Sequence, residues 1–326
     1  MKIMNKKILL ITLVILALGI AACERDDTQD PGGDTGFVGG TKGVDISFAT
    51  NAPPERVADQ GNDEFFVQVD LSNEGEHEIL KENVFVQLEG FSTSAFGIPD
   101  SELTNNKWIL HPEDDLLAVR KSPDGSVISS PTIPVIFEGL SYQGDAPANL
   151  PFTIRAKACY QYQTTALSDI CVKENFNDDR PGDICQVSSV RKVSNSGAPV
   201  QITNVKQSPY GRDRTMVTFS LQQRDTNPTG KVSRLESECS TEQSNENRVF
   251  VNVAGLEEST EDIVSCIGLS GGTSGFVTLN KDEARDISCT VTLQNKNSRV
   301  QPFRVTVNYD YSAHIDKNIV VVYTPE

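Results

Sequence analysis

From Val44 to the end of the chain, apolar and polar residues alternate with a period of two, and this restricts the polypeptide to sheets whose strands each bury one face. Val44-Asp-Ile-Ser-Phe48 is the first such run; residues 65–71 (FFVQVDL), 84–88 (VFVQL), 135–137 and 152–158 (FTIRAKA) follow. Turn formers separate the runs, with Pro53-Pro54 after the first and Asn73-Glu74-Gly75 after the second. Short β-branched and aromatic strands between such clusters predict an all-β antiparallel sandwich rather than a βαβ protein. Only residues 114–121 hint at a helical turn.

The pattern occurs twice. Phe66-Val-Gln-Val-Asp-Leu71 returns as Met216-Val-Thr-Phe-Ser-Leu221, and Val84-Phe-Val-Gln-Leu-Glu-Gly90 returns as Val249-Phe-Val-Asn-Val-Ala-Gly255. Pro151-Phe152 leads to Tyr160-Gln-Tyr162 and Ile170-Cys-Val172, as Pro302-Phe303 leads to Tyr309-Asp-Tyr311 and Ile319-Val-Val321. Three matches in one order predict two tandem immunoglobulin-like sandwiches, residues 44–173 and 199–326, with a joint at 174–198. The paired tyrosines lie two apart, so each pair shares a strand face; packing is the expected role, with an aromatic ligand platform as the alternative. Trp108, the sole tryptophan, is expected to be buried.

Ahead of the sandwiches stands a leader. Three lysines within residues 1–7 precede an uncharged run, residues 8–20, and then Ala21-Ala22-Cys23. The run is short for a bilayer span and reads as a secretory signal over residues 1–22. Ile20-Ala21-Ala22-Cys23 resembles the prokaryotic lipoprotein signal, which implies acylation of Cys23 and a membrane anchor there; an uncleaved anchor helix is the alternative. Residues 24–43 hold six glycines and four aspartates with almost nothing to bury, a flexible tether of roughly 25 Å root-mean-square span. Both readings place the rest of the chain outside the cytoplasm, at the cell surface or envelope.

The net charge of −16 becomes −19 once Lys2, Lys6 and Lys7 leave with the signal. Such a chain repels phosphate backbones, so nucleic-acid partners are not expected. With Cys23 set aside for lipid, six cysteines remain, an even number that reads as disulfides in an exported protein. None forms a Cys-x-x-Cys pair, and His77, His111 and His314 are scattered, so no metal and no cofactor is expected.

Asn51-Ala-Pro-Pro54, Leu71-Ser-Asn73-Glu-Gly75, the Cys159-Tyr-x-Tyr162…Cys171 segment and Gly197-Ala-Pro-Val200 resemble tandem immunoglobulin-like surface proteins of small-genome archaea, similar in layout to CARDB-like adhesion modules. The resemblance implies a surface-exposed sandwich fold and no catalytic residue.

Strand pairing suggests the bridges. Cys159 and Cys171 are symmetric about Thr165, so a hairpin turning at residues 164–168 would bond them, a closure worth about 3 kcal/mol. Cys266 and Cys289 sit in strand-like runs and are expected to pair, leaving Cys185 with Cys239 to clamp the joint.

Gly268-Leu-Ser270-Gly-Gly272 fits the Gly-x-Ser-x-Gly motif, and Asp282, Asp286 or Asp310 with His314 would complete a hydrolase chain order. A glycine-rich turn followed by a strand at residues 276–279 is the structural reading, because the chemistry requires a strand-to-helix elbow. Asn177-Asp178-Asp179 with Asp183 could hold calcium, though a solvated loop is the simpler reading. The sequence therefore predicts a lipid-anchored, non-catalytic structural or protein-binding module, meeting a surface partner through loops or sheet edges. Its rivals are a solute- or glycan-binding lipoprotein and a serine hydrolase acting through Ser270.

Overall fold

The computed structural model describes residues 36–104, 108–178, 180, 182–256, 263–280, 283–294 and 297–324. The leader, Cys23 and most of the tether lie outside them. Residues 34–326 form one compact unit.

Strands β1 (Val44–Phe48), β2 (Arg56–Ala58), β3 (Phe65–Asn73), β4 (Val84–Glu89), β5 (Trp108–Leu110), β6 (Arg120–Lys121), β7 (Val127–Ile128), β8 (Thr132–Leu140) and β9 (Leu150–Val172) make up the first repeat. β10 (Ser189–Val190) and β11 (Val193–Asn195) come from the joint. The second repeat supplies β12 (Val200–Pro209), β13 (Arg214–Gln223), β14 (Lys231–Ser233), β15 (Arg248–Leu256), β16 (Ile263–Ile267), β17 (Ser274–Thr278), β18 (Arg285–Thr292) and β19 (Arg299–Val322).

The fold is all-β, and its strands pair antiparallel apart from β2, which runs parallel to β19. β1-β3-β8 forms a three-stranded sheet and β10-β12-β13-β18-β16 a five-stranded one. Both lie over the same face of a nine-stranded sheet whose main path is β17-β15-β19-β9-β4-β5, the face that carries Tyr160 and Tyr309. The repeat is visible in the pairing: β3 lies between β1 and β8 as β13 lies between β12 and β18, while β5-β4-β9 corresponds to β17-β15-β19.

The two repeats are not strung in series. β9 and β19 are continuous strands of 23 and 24 residues that pair along nearly their whole length, from Arg299↔Val172 to Val321↔Leu150. Tyr160 and Tyr162 correspond in the repeat to Tyr309 and Tyr311, yet they pair with Tyr311 and Tyr309 respectively. Antiparallel pairing of equivalent strands requires a local two-fold axis, and it falls at the Gln161–Asp310 pair. Each long strand therefore begins in its own sandwich and ends in the other.

That continuity revises the disulfides. Residues 164–168 contain no Gly, Pro or Asn, and Thr165 is mid-strand, opposite Thr306. Cys159 and Cys171 are thus separated by roughly 40 Å of strand, and the expected Cys159–Cys171 and Cys185–Cys239 bridges do not form. Cys159 bonds instead to Cys239 across 80 residues, and Cys171 to Cys185 across 14. Cys266 and Cys289 are directly opposite on β16 and β18 and are bonded to each other.

Two smaller expectations also change. Residues 114–121 contain no helix; Leu116 forms a bridge with Ile79, and β6 begins at Arg120. The joint is tied down through Cys185 to Cys171 rather than to Cys239, and its strands extend the sheets: β10 adds to β12 and β11 to β9, with Phe176, Val187 and Ala198 fully buried. The end of the tether is likewise tied down: Val38 and Gly39 donate their N–H groups to the Glu76 carboxylate at 2.7 and 2.8 Å.

Candidate functional site

The chemistry of the molecule concentrates around the local two-fold axis, where even-numbered β9 residues face the core. Tyr160, Tyr162, Tyr309 and Tyr311 meet there, each at most 2% exposed. The rings of Tyr160 and Tyr311 lie 5.4 Å apart, those of Tyr160 and Tyr162 5.7 Å, and those of Tyr162 and Tyr309 6.3 Å. Equivalent tyrosines hold equivalent strands. Tyr160 accepts the N–H of Val44 at the start of β1 (2.9 Å), and Tyr309 accepts that of Val200 at the start of β12 (3.3 Å). Tyr162 donates to the Gly197 carbonyl at 3.2 Å, while Tyr311 is hydrogen-bonded to Asp225. The expected packing role is what the structure shows for these side chains.

Burial raises the pKa of all four phenols above that of free tyrosine, because a phenolate would lose its hydration. The sign follows from linkage: the folded pKa exceeds the unfolded value near 10, so stability is intact below pH 10 and falls as pH rises beyond it. The loss approaches about 1.4 kcal/mol per pH unit for each tyrosine. Tyrosinate absorbance near 295 nm should show Tyr160, Tyr162, Tyr309 and Tyr311 ionising only with loss of the fold.

On the opposite face of the same strands the Asp310 carboxylate organises a loop. It accepts N–H groups from Glu236 (3.0 Å), Ser237 (2.8 Å) and Cys239 (3.3 Å), plus the Ser237 hydroxyl (3.2 Å). Glu236, Glu238 and Cys239 all take left-handed backbone conformations, with φ of 62°, 52° and 53°. Such residues cost free energy there and need external restraint. Asp310 and the Cys159–Cys239 bond supply it.

This loop forms one wall of a cleft of about 640 Å³. Its floor is Arg155 and Lys157 of β9 with Ser312 and His314 of β19, and β14 forms another side. Arg155 holds Asp316 through two bonds of 2.7 and 2.8 Å. Burial, with Arg155 next in weight, pushes the His314 imidazole below its usual pKa, against the opposing pull of Asp316 and Glu89. The lining has charge and hydrogen-bonding groups but no Phe, Tyr or Trp. It can hold a polar solute, without the aromatic stacking that carbohydrate sites commonly use.

The structure does not assemble the hydrolase constellation. Ser270 lies in the turn joining β16 to β17, so a strand follows it where the elbow requires a helix. Ser274 aligns through Asn252 with Thr306, and His314 is eight residues farther along β19, so Ser270 and His314 lie more than roughly 25 Å apart. Asp310 is committed to the loop described above, and Asp286 accepts the Ser220 hydroxyl at 2.6 Å. Asp282 lies outside the described residues.

The joint's acidic cluster is neutralised by cations. Asp183 lies 2.8 Å from the buried Lys173 ammonium, and Asp178 is 2.7 Å from Arg180. Asp179 lies outside the described residues, and among those described no three His, Cys, Asp or Glu side chains form a metal-binding group. No described helix is long and apolar enough to cross a membrane. Trp108 is 6% exposed, its ring 5.1 Å from that of Phe137.

Sequence reasoning missed the pairing of β9 with β19, although alternation unbroken by Gly, Pro or Asn across residues 160–172 carried the signal. It also missed the Asp310 loop, whose left-handed residues are glutamate and cysteine rather than glycine.

No family model matches the chain, and no curated protein matches it. Among solved structures, the envelope protein VP37 of White Spot Syndrome Virus shares 10% identity, with 47% of this chain and 97% of that one covered, at a TM-score of 0.22. A serine-rich repeat adhesion glycoprotein, Srr1 of Streptococcus agalactiae, shares 10% identity over 89% of this chain and 99% of that one, at a TM-score of 0.17. Likenesses of this size carry no structural argument, so what is known of this chain rests on its own residues.

Proposed function

We propose that the chain is an exported, non-catalytic module anchored by lipid at Cys23, which binds another protein at the cell surface or envelope. The observation that carries this reading is the set of three disulfides, two of them fastening loops onto the long strands. Such cross-links form and persist in an oxidising compartment. They agree with the leader, and the open sheet edges described below offer main-chain hydrogen bonds to a partner.

The solute-binding alternative is favoured by one observation, the polar cleft around His314. Its lack of aromatic lining weighs against a carbohydrate.

The anchor is tested by labelling growing cells with a radioactive or alkyne-bearing fatty acid. Wild-type chain should carry the label and remain in the detergent phase, whereas Cys23→Ser should lose essentially all label. If the wild-type chain takes up no label, or Cys23→Ser keeps it, the lipid anchor is refuted. Cross-linking at the surface followed by purification then distinguishes the readings: a defined protein partner supports the module, and a co-purifying small solute supports the alternative.

A further inference from the structure

The local two-fold axis makes each half of the molecule a template for the other, and one feature is filled in only one half. In the second sandwich, the space between β12 and the far end of β9 is occupied by Val193-Ser194-Asn195. β11 pairs antiparallel with Ala166, Leu167 and Ser168, and the Asn195 side chain brackets Ile202, accepting its N–H and donating to its C=O, both at 2.9 Å. Ser196 finishes the contact through its N–H and hydroxyl on Thr165.

The equivalent position in the first sandwich lies between β1 and the far end of β19, at Ile315, Asp316 and Lys317. The Thr229 hydroxyl takes the place of Ser196 there, bonding both the N–H and the C=O of His314 at 3.0 Å. Among the described residues nothing corresponds to β11: β14 pairs with Asp310–Ser312 and β2 with Val320–Val322, and no described strand lies alongside the stretch between them. His314 and Val320 direct their N–H groups outward to Thr229 and Glu55, so strand alternation directs those of Asp316 and Asn318 outward too.

Across the slot, Ile46 pairs with Leu71 as Ile202 pairs with Leu221. Ala49 donates to Gln68, so Ile46, three residues earlier in the same ladder, turns its N–H and C=O away from β3. Those are the groups that Asn195 brackets in the other half. The result is a cavity of about 400 Å³ whose lining includes Ile46, Asp45, Glu74, Asp225 and Ile315.

Residues 37–40, which symmetry would place here, run elsewhere. Gly40 accepts the Ala198 N–H at 3.3 Å and the Gln201 amide at 3.1 Å on the other side of the axis.

We infer that this slot is a strand-acceptor site for an extended, basic segment of a partner protein, which pairs antiparallel with β19 at residues 315–317 and places an Asn or Asp against the Ile46 main chain. Two observations specify the occupant. Asp45, Glu74 and Asp225 outnumber Lys42 and Lys317, and Lys42 is itself paired with Glu74, so the slot favours positive charge. The segment filling the equivalent position in the other half reads Arg191-Lys192-Val193-Ser194-Asn195-Ser196, two cations ahead of a short strand and an Asn. The inference rests on the protein-binding reading and names the partner's chemistry.

The probe is a fluorescent peptide copying residues 190–196, titrated by anisotropy into the mature, disulfide-bonded full chain. Saturable binding is expected, weakened about tenfold by Asn→Ala in the peptide and by Asn318→Pro in the protein. Proline removes the outward N–H of residue 318 without touching the β9 ladder. Asn318→Pro also loses the side-chain bond from Thr153, so Thr153→Val, which removes that bond alone, should bind like wild type. Absence of saturable binding up to about 1 mM, or binding indifferent to Asn318→Pro, overturns the site. A dimer of the full chain that the peptide dissociates overturns the partner assignment in favour of a second copy. Peptide binding is measured without reference to lipid, so failure of the fatty-acid test leaves this result standing, and the converse also holds.

Discussion

Cys159→Ser and Cys239→Ser are each expected to lower the unfolding free energy by about 4–5 kcal/mol, the largest loss from removing any one bridge. The bond joins residues 80 apart, whereas Cys171–Cys185 spans 14 and Cys266–Cys289 spans 23. In the chain-entropy model the two shorter closures are worth about 3 kcal/mol each. A second contribution points the same way. Without the bond, three left-handed residues rely on Asp310 alone, so the loop should loosen and with it the wall of the 640 Å³ cleft. Urea unfolding of the three single-bridge variants measures the order directly, and hydrogen exchange at residues 234–247 measures the loosening. A Cys171→Ser or Cys185→Ser variant less stable than Cys239→Ser would contradict the ranking.

The strands were legible in the sequence because burying one face of a sheet leaves a local mark. Val44–Phe48 is β1 as expected, and residues 65–71, 84–88, 135–137 and 152–158 all fall inside β3, β4, β8 and β9. The repeat was legible for the same reason, since Tyr160, Tyr162, Tyr309 and Tyr311 serve the same packing need twice. What the sequence left open was which strands pair across distance. Residues 160–172 alternate as well in a long strand as in two short ones, and the choice is made by β19, 150 residues away. The disulfide error followed from that single choice. The joint misled differently: residues 174–198 have linker composition, yet a few apolar side chains such as Phe176 and Val187 suffice to anchor them when strand edges on both sheets accept their main chain. The acceptor slot was invisible at the sequence level because it is a difference between two halves whose equivalence only the paired strands reveal.

The tyrosine cluster should prove the most sensitive place in the core. Tyr162→Ala is expected to cost about 3–5 kcal/mol, from lost apolar burial and the cavity left behind. Tyr162→Phe should cost about 1–2 kcal/mol, because the buried hydroxyl's bonds to the Gly197 carbonyl and the Asn73 side chain are lost, although Gly197 keeps the Glu76 N–H at 2.9 Å. The glycines facing these hydroxyls make the complementary test. A Cβ at Gly75 would strike the Tyr162 hydroxyl, and one at Gly230 would strike that of Tyr311, so each Gly→Ala change should destabilise by about 1–3 kcal/mol through overpacking. Pairing Gly75→Ala with Tyr162→Phe removes the nearest of three obstructing oxygens and leaves the Gly197 and Lys42 carbonyls at 2.6 and 2.7 Å from the new Cβ, so the double variant should lose somewhat less than the two single losses added together. Additive losses would mean that the Ala methyl is accommodated by backbone movement rather than by the tyrosine. The same cycle at Gly230 and Tyr311 is independent, since those residues belong to the other repeat. Coupling at both sites would show that in each half a tyrosine hydroxyl sets the space open to the glycine that faces it.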